Sequence, residues 1–132
     1  MPARFERTLP AGAPGLPGLI VEIEAWLGTA GVPPAAAARI MIAFDEVLSN
    51  IAHHGGGTLS VAIAADDRTL TATVADDGPP FDPLARDAPD TDLGIDDRAI
   101  GGLGIHLVRE MMDDVGYARE KGWNRLIFSK TF

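Results

Sequence analysis

An α+β domain is predicted, a two-layer sandwich in which a mainly antiparallel, mixed sheet is covered on one face by three helices. Three observations predict it. Apolar residues recur at helical spacing in three segments, and they alternate with polar or small residues in five others. Four of the alternating segments form pairs across short turns, Asp66-Asp67-Arg68 in one and Lys121-Gly122 in the other, which makes neighbouring strands antiparallel. The length, 132 residues with 46% hydrophobic, suits a single domain with a proper core over residues 1–132.

Taken in order, Arg4 to Leu9 alternates, with Phe5, Arg7 and Leu9 on one side and Arg4, Glu6 and Thr8 on the other, as in a short edge strand. Three prolines and three glycines between Pro10 and Gly18 make a turn region. A first helix is expected from about Pro17 to Thr29, carrying Leu19, Ile23, Trp26 and Leu27. Gly31 and Pro33 break it. Pro34 suits the first position of the next helix, where its missing N–H costs nothing. That helix runs to about His54, and Gly55-Gly56-Gly57 ends it.

Leu59, Val61 and Ile63 alternate, as do Leu70, Ala72 and Val74, so a hairpin delivers Asp76 and Asp77 at a strand end. Asp82 to Ile100 shows no periodicity and holds six aspartates, two arginines and two prolines. A loop of that length in a small domain is expected to be a functional lid, bounded here at 82–101, or disordered. Gly101-Gly102-Leu103-Gly104 leads directly into a third helix with Ile105, Leu107, Val108, Met111 and Met112. Strands near Val115–Arg119 and Arg125–Phe132 complete the sheet. Phe5, Trp26, Met111 and Met112 suit either an interface or the core, and the core is the plainer assignment.

Composition narrows the function. No run approaches the roughly 18–20 apolar residues of a membrane span. The N-terminus has no apolar signal region. The absence of cysteine excludes disulfides, zinc–thiolate sites and thiol catalysis, and fits a cytoplasmic protein. A net charge of −8 disfavours nucleic acid, which is bound by displacing counterions with a basic face.

Three stretches carry chemistry. On the second helix, at about 100° per residue, Asn50 lies about 40° from Glu46, His53 about 20° away on the other side and Arg39 about 20° from it. Ile40, Phe44, Val47, Leu48 and Ile51 face elsewhere. The helix thus has a core stripe bordered by an acid, an amide, an imidazole and a guanidinium. Read alone, this line is a solvated flank. A carboxylate and an amide one turn apart are also suited to a small hard cation and a water. A carboxylate at a strand end beside a glycine, as in Asp76-Asp77-Gly78, usually makes a turn. It can also accept a hydrogen bond from an exocyclic amine. The glycines before the third helix form a plain connection or an anion site built from free N–H groups. They are neither a Walker A loop, lacking Gly-Lys-Ser/Thr, nor a dinucleotide fingerprint.

Together and in this order, DEVLSNIAHHG, VADDGPPFD and GGLGIHLV resemble the N box and the two glycine boxes of the GHKL superfamily of ATPases and kinases, over about Ile40 to Phe132. The short chain and the Pro80-Phe81-Asp82-Pro83 ending of the middle box look like the bacterial anti-sigma-factor serine kinases of the RsbW and SpoIIAB type. The resemblance implies the Bergerat ATP-binding fold, with ATP and Mg²⁺ as cofactors. It implies that Glu46 is the general base, Asn50 the magnesium ligand and His54 the histidine of the N box, with His53 as the spare. Asp76 reads adenine with Gly78 as its partner, and Asp77 has no required role. Gly102, Leu103 and Gly104 line the phosphates, and Arg98 reaches the γ-phosphate.

The same resemblance implies serine/threonine kinase activity toward a STAS-domain anti-anti-sigma protein, a sigma factor as second partner, and often a homodimer. The alternative is a non-catalytic ATP-binding module that sequesters a sigma factor or other regulator. Departures from the pattern are the acidic lid, which lacks the threonine pair and lysine of some relatives, and Trp123-Asn124-Arg125 in the final strand, whereas Pro80 in place of a glycine is frequent in the subfamily it resembles. Asn124 is there expected to stand in as a polar contact near adenine.

Overall fold

The computed structural model describes residues 3–11, 15–54, 57–80, 82–85 and 102–132. The elements are β1 (Ala3–Pro10), α1 (Leu16–Thr29), α2 (Pro34–His54), β2 (Thr58–Asp66), β3 (Thr69–Asp76), a 3-10 turn (Pro83–Ala85), α3 (Gly102–Met111), β4 (Asp114–Glu120) and β5 (Trp123–Thr131). The five strands form one sheet in the order β1-β2-β3-β5-β4, and each of its four pairings is antiparallel. The α+β sandwich read from the sequence is therefore the fold.

Local chemistry explains most boundaries. Pro34 is the first residue of α2, as its fixed φ and absent N–H favour. The β2–β3 hairpin turns through Asp67 and Arg68 at φ 50° and 66°, and the β4–β5 hairpin through Lys121 and Gly122 at φ 51° and 85°. Both are two-residue loops whose left-handed residues match the twist of the flanking strands. α3 begins at Gly102 rather than after Gly104, so both glycines belong to the first helical turn.

The core lies between the sheet and the helices. α1 contributes Leu19, Ile23 and Leu27; α2 contributes Ile40, Phe44, Val47 and Leu48; α3 contributes Ile105 and Val108. β2 and β3 meet them with Leu59, Val61, Ile63, Leu70, Ala72 and Val74. The Phe44 ring meets Phe128 of β5 edge-on, with centroids 5.0 Å apart. Phe5 and Met112 are buried, while Trp26 and Met111 are partly buried against the core, so the core assignment holds for all four. Trp26 also packs on Phe5 at 6.0 Å.

Two features of this frame place the site. α2 packs between α1 and α3, directly over the sheet. β3 is the central strand, so its last residue, Asp76, comes to lie beneath the C-terminal half of α2. On the far side of the sheet's β1 edge, Arg7 pairs with Glu22 of α1 at 2.7 Å.

Candidate nucleotide site

Asp76 is 4% exposed and Asn124 is 6% exposed, which makes them a polar pair set in the buried layer. The β3–β5 register puts them directly opposite one another. Buried polar groups need partners, and these have them. Asp76 Oδ2 accepts the Gly78 N–H at 3.0 Å and an Asn124 Nδ2 hydrogen at 3.3 Å. The same Nδ2 donates to Pro79 O at 2.9 Å. Asn124 Oδ1 accepts the Tyr117 hydroxyl at 2.6 Å. Arg119 donates to Gly78 O at 2.9 Å, so the backbone after β3 is held from both sides.

Asp76, Asn124 and Tyr117 close the polar end of a narrow cleft. Val47 and Ile51 of α2, Val74 of β3, Leu126 of β5 and Pro83 make its apolar walls. Asn50 enters from α2, one turn from Val47. Among the described residues Asp76 Oδ1 accepts no hydrogen bond, so the carboxylate presents one tied and one open oxygen. The turn at Pro83 is itself fixed. Asp82 Oδ1 accepts the Leu84 N–H at 2.8 Å, and Arg109 of α3 donates to Leu84 O at 2.9 Å.

The structure brings Asn50 and Asp76 to one cleft. Glu46 is half-buried on α2 one turn before Asn50, outside the cleft lining. Gly102, Leu103 and Gly104 form the start of α3, which packs against α2. His54 is the last residue of α2, and its side chain lies outside the described residues, as do Arg98 and the lid beyond Ala85. His53 is exposed and borders a separate groove between α1 and α2 with Leu16 and Ser49.

Asp77 has a role that the sequence did not reveal. Its Oδ1 accepts the Thr58 N–H at 2.6 Å, tying the start of β2 to the end of β3. The sequence does not mark Tyr117 either. The signal for it was a hydroxyl-bearing aromatic in the first strand of the last hairpin, legible only once the register is known.

Compared with known proteins, residues 9–130 match the family described as the histidine kinase-like ATPase domain. The chain belongs to this family. The ATPase-domain chain is 31% identical over 87 residues to the serine/threonine-protein kinase BtrW of Bordetella bronchiseptica, a match covering 62% of this chain and 61% of that kinase. Among solved structures, it superposes on the RsbU and RsbW domains of Rv1364c from Mycobacterium tuberculosis with a TM-score of 0.70 and 17% identity. That match covers 98% of this chain and 32% of the other. It also superposes on the Acinetobacter baumannii histidine kinase AdeS, with a TM-score of 0.52 and 14% identity over 72% of this chain and 46% of that one. The two structural matches show the shared fold. The ATPase-domain chain therefore spans less than two thirds of the length of the relatives it matches.

Proposed function

We propose that this chain is an ATP-binding anti-sigma factor kinase that passes the γ-phosphate of ATP to a serine of a STAS-domain anti-anti-sigma partner, with a sigma factor as its other partner. The observation that carries the reading is Asp76. A carboxylate buried at the closed end of an apolar cleft, with one oxygen tied and the other open, suits a flat heterocycle bearing an exocyclic amine. The family match and the similarity to a serine/threonine-protein kinase support the same direction.

The other residues take roles around that anchor. Asn50 faces the cleft with a neutral amide, a fitting single ligand for Mg²⁺, which keeps most of its shell for water and phosphate oxygens. The ion, when bound, supplies charge neutralisation at those oxygens. Backbone N–H groups at the first turn of α3, Gly102 to Gly104, are suited to the phosphates. Glu46, one turn before Asn50 on α2, takes the proton of the seryl acceptor in this reading. Residues 82–101 serve as the lid over the single domain 1–132, with Arg98 directed to the γ-phosphate and His54 supporting the N box. Catalysis of this kind is positioning plus electrostatics. Among the described residues no helix is long and apolar enough to cross a membrane, and a cytoplasmic site of action is part of the proposal.

A calorimetric titration with ATP, with and without Mg²⁺, tests binding. The expected result is magnesium-dependent, adenine-selective association, and no heat at millimolar ATP would overturn the reading. Glu46→Gln should keep nucleotide affinity and lose phosphotransfer to a STAS-domain protein by roughly 10²–10⁴-fold. Transfer retained in that variant would remove Glu46 from the role of base. Binding without transfer in the unaltered protein would leave a sequestering module.

A further inference from the structure

We infer that Tyr117 is a specificity-determining positioning residue that acts through Asn124 on Asp76 and makes the cleft select a 6-amino over a 6-oxo purine. The inference rests on the nucleotide reading above and adds to it a residue outside the three sequence boxes.

The argument is one of hydrogen-bond polarity. Pro79 O can only accept, and Asp76 as a carboxylate can only accept. Asn124 must therefore turn its NH₂ toward both, at 2.9 and 3.3 Å. That leaves its carbonyl oxygen facing Tyr117, so the Tyr117 proton is committed to Oδ1 at 2.6 Å. The chain of donors runs one way, from Tyr117 through Asn124 to Asp76 Oδ2. Gly78 N–H completes the tie on that oxygen. Among the described residues, what remains at the polar end of the cleft is acceptor capacity: the open Asp76 Oδ1 and the lone pairs of the Tyr117 oxygen. An exocyclic amine satisfies acceptors. A 6-oxo group meets them with its own lone pairs.

Register makes this arrangement possible. Asp76 pairs with Asn124 across β3–β5, and Tyr117 stands opposite Leu126 across β4–β5, hence diagonal to Asn124. Diagonal neighbours on one sheet face lie within reach of an aromatic side chain. Both Tyr117 and Leu126 line the cleft, which confirms the shared face.

The test is Tyr117→Phe, which keeps the ring and removes the hydroxyl, read by titrating ATP and ITP into the unaltered protein, Tyr117→Phe, Asn124→Ala and the double variant. The expected result is a fall of about tenfold in the ATP-to-ITP affinity ratio for Tyr117→Phe, and little further fall when it is added to Asn124→Ala, because the two act in series. An unchanged ratio in Tyr117→Phe overturns the inference even if its melting temperature drops, since that is a packing role alone. Independent, additive losses overturn it too. The unaltered protein is measured first: if it does not bind ATP, the nucleotide reading itself fails, whereas ATP-selective binding with an unaffected Tyr117→Phe ratio leaves that reading standing and removes only this one. The melting temperature gives a nucleotide-free check that each variant is folded, and the Asn124 side-chain NH₂ resonances report the lost hydroxyl as a shift in Tyr117→Phe.

Discussion

At the scale of single residues, Gly57 and Asp77 show how a structural requirement sits beside a functional one. Gly57 has φ +69°, and a Cβ there would fall inside contact distance of the Asp77 carboxylate. That carboxylate is held in place by the Thr58 N–H. An L-residue pays roughly 1–2 kcal/mol for the left-handed region alone. Gly57→Ala should therefore destabilise the fold by about 2 kcal/mol in denaturant unfolding, the clash included. In the double variant with Asp77→Ala the clash disappears, so its loss should be smaller than the sum of the two single losses. Full additivity would mean that the carboxylate moves aside without cost. Gly57 also accepts the Ala11 N–H on its carbonyl at 2.9 Å, so the same residue joins the end of β1 to the start of β2.

At the scale of elements, the connection from α3 to β4 is fastened to the end of β5 by Asp113. Its N–H donates to Ser129 O at 2.9 Å, its Oδ2 accepts the Thr131 N–H at 2.6 Å, and Lys130 Nζ lies 3.4 Å from Oδ1. The backbone hydrogen bond from Thr131, with a smaller contribution from Lys130, holds the Asp113 carboxyl below its ordinary value of 3.8. A depressed carboxylate adds stability that is complete above the unfolded value and is lost as pH falls through the folded one. Melting temperatures of the unaltered protein and Asp113→Asn should differ at neutral pH and converge as pH falls below 3.8. A gap that stays constant down the whole acid range would show that the charge of Asp113 contributes nothing to the tether. The exposed carboxylate makes the difference a modest one.

At the scale of the whole molecule, the proposed site is made of pieces from distant parts of the chain. Asn50 comes from α2, Asp76 from β3, and Tyr117 and Asn124 from the last hairpin. A ligand in that cleft bridges the helical layer and the sheet, so it binds the folded chain alone. ATP with Mg²⁺ at 100 times its dissociation constant should then add about 2.7 kcal/mol to folding. For a chain of this size that is a rise of roughly 8–11 °C in melting temperature. Differential scanning calorimetry checks it, and the same concentration of ITP should give a smaller rise. No shift with ATP would mean that the cleft does not take the nucleotide.

Much of this was legible in one dimension. Helix and strand positions, Pro34 at the start of α2, both hairpins and the order of the three boxes follow from periodicity and turn chemistry, which depend on neighbours a few residues apart. Glu46 and Asn50 fall on one helix edge for the same reason. The tertiary structure decided what depends on distant pairing: β5 inserted between β3 and β4, Asp76 opposite Asn124, Tyr117 diagonal to it, and Asp77 turned back to β2 rather than left idle. A residue's face on a strand is written in its own alternation, but its partner is chosen by register. Register is set by the packing of the whole sheet against the helices, where a shift of one residue would turn Leu126 and Phe128 out of the core and part Asp76 from Asn124.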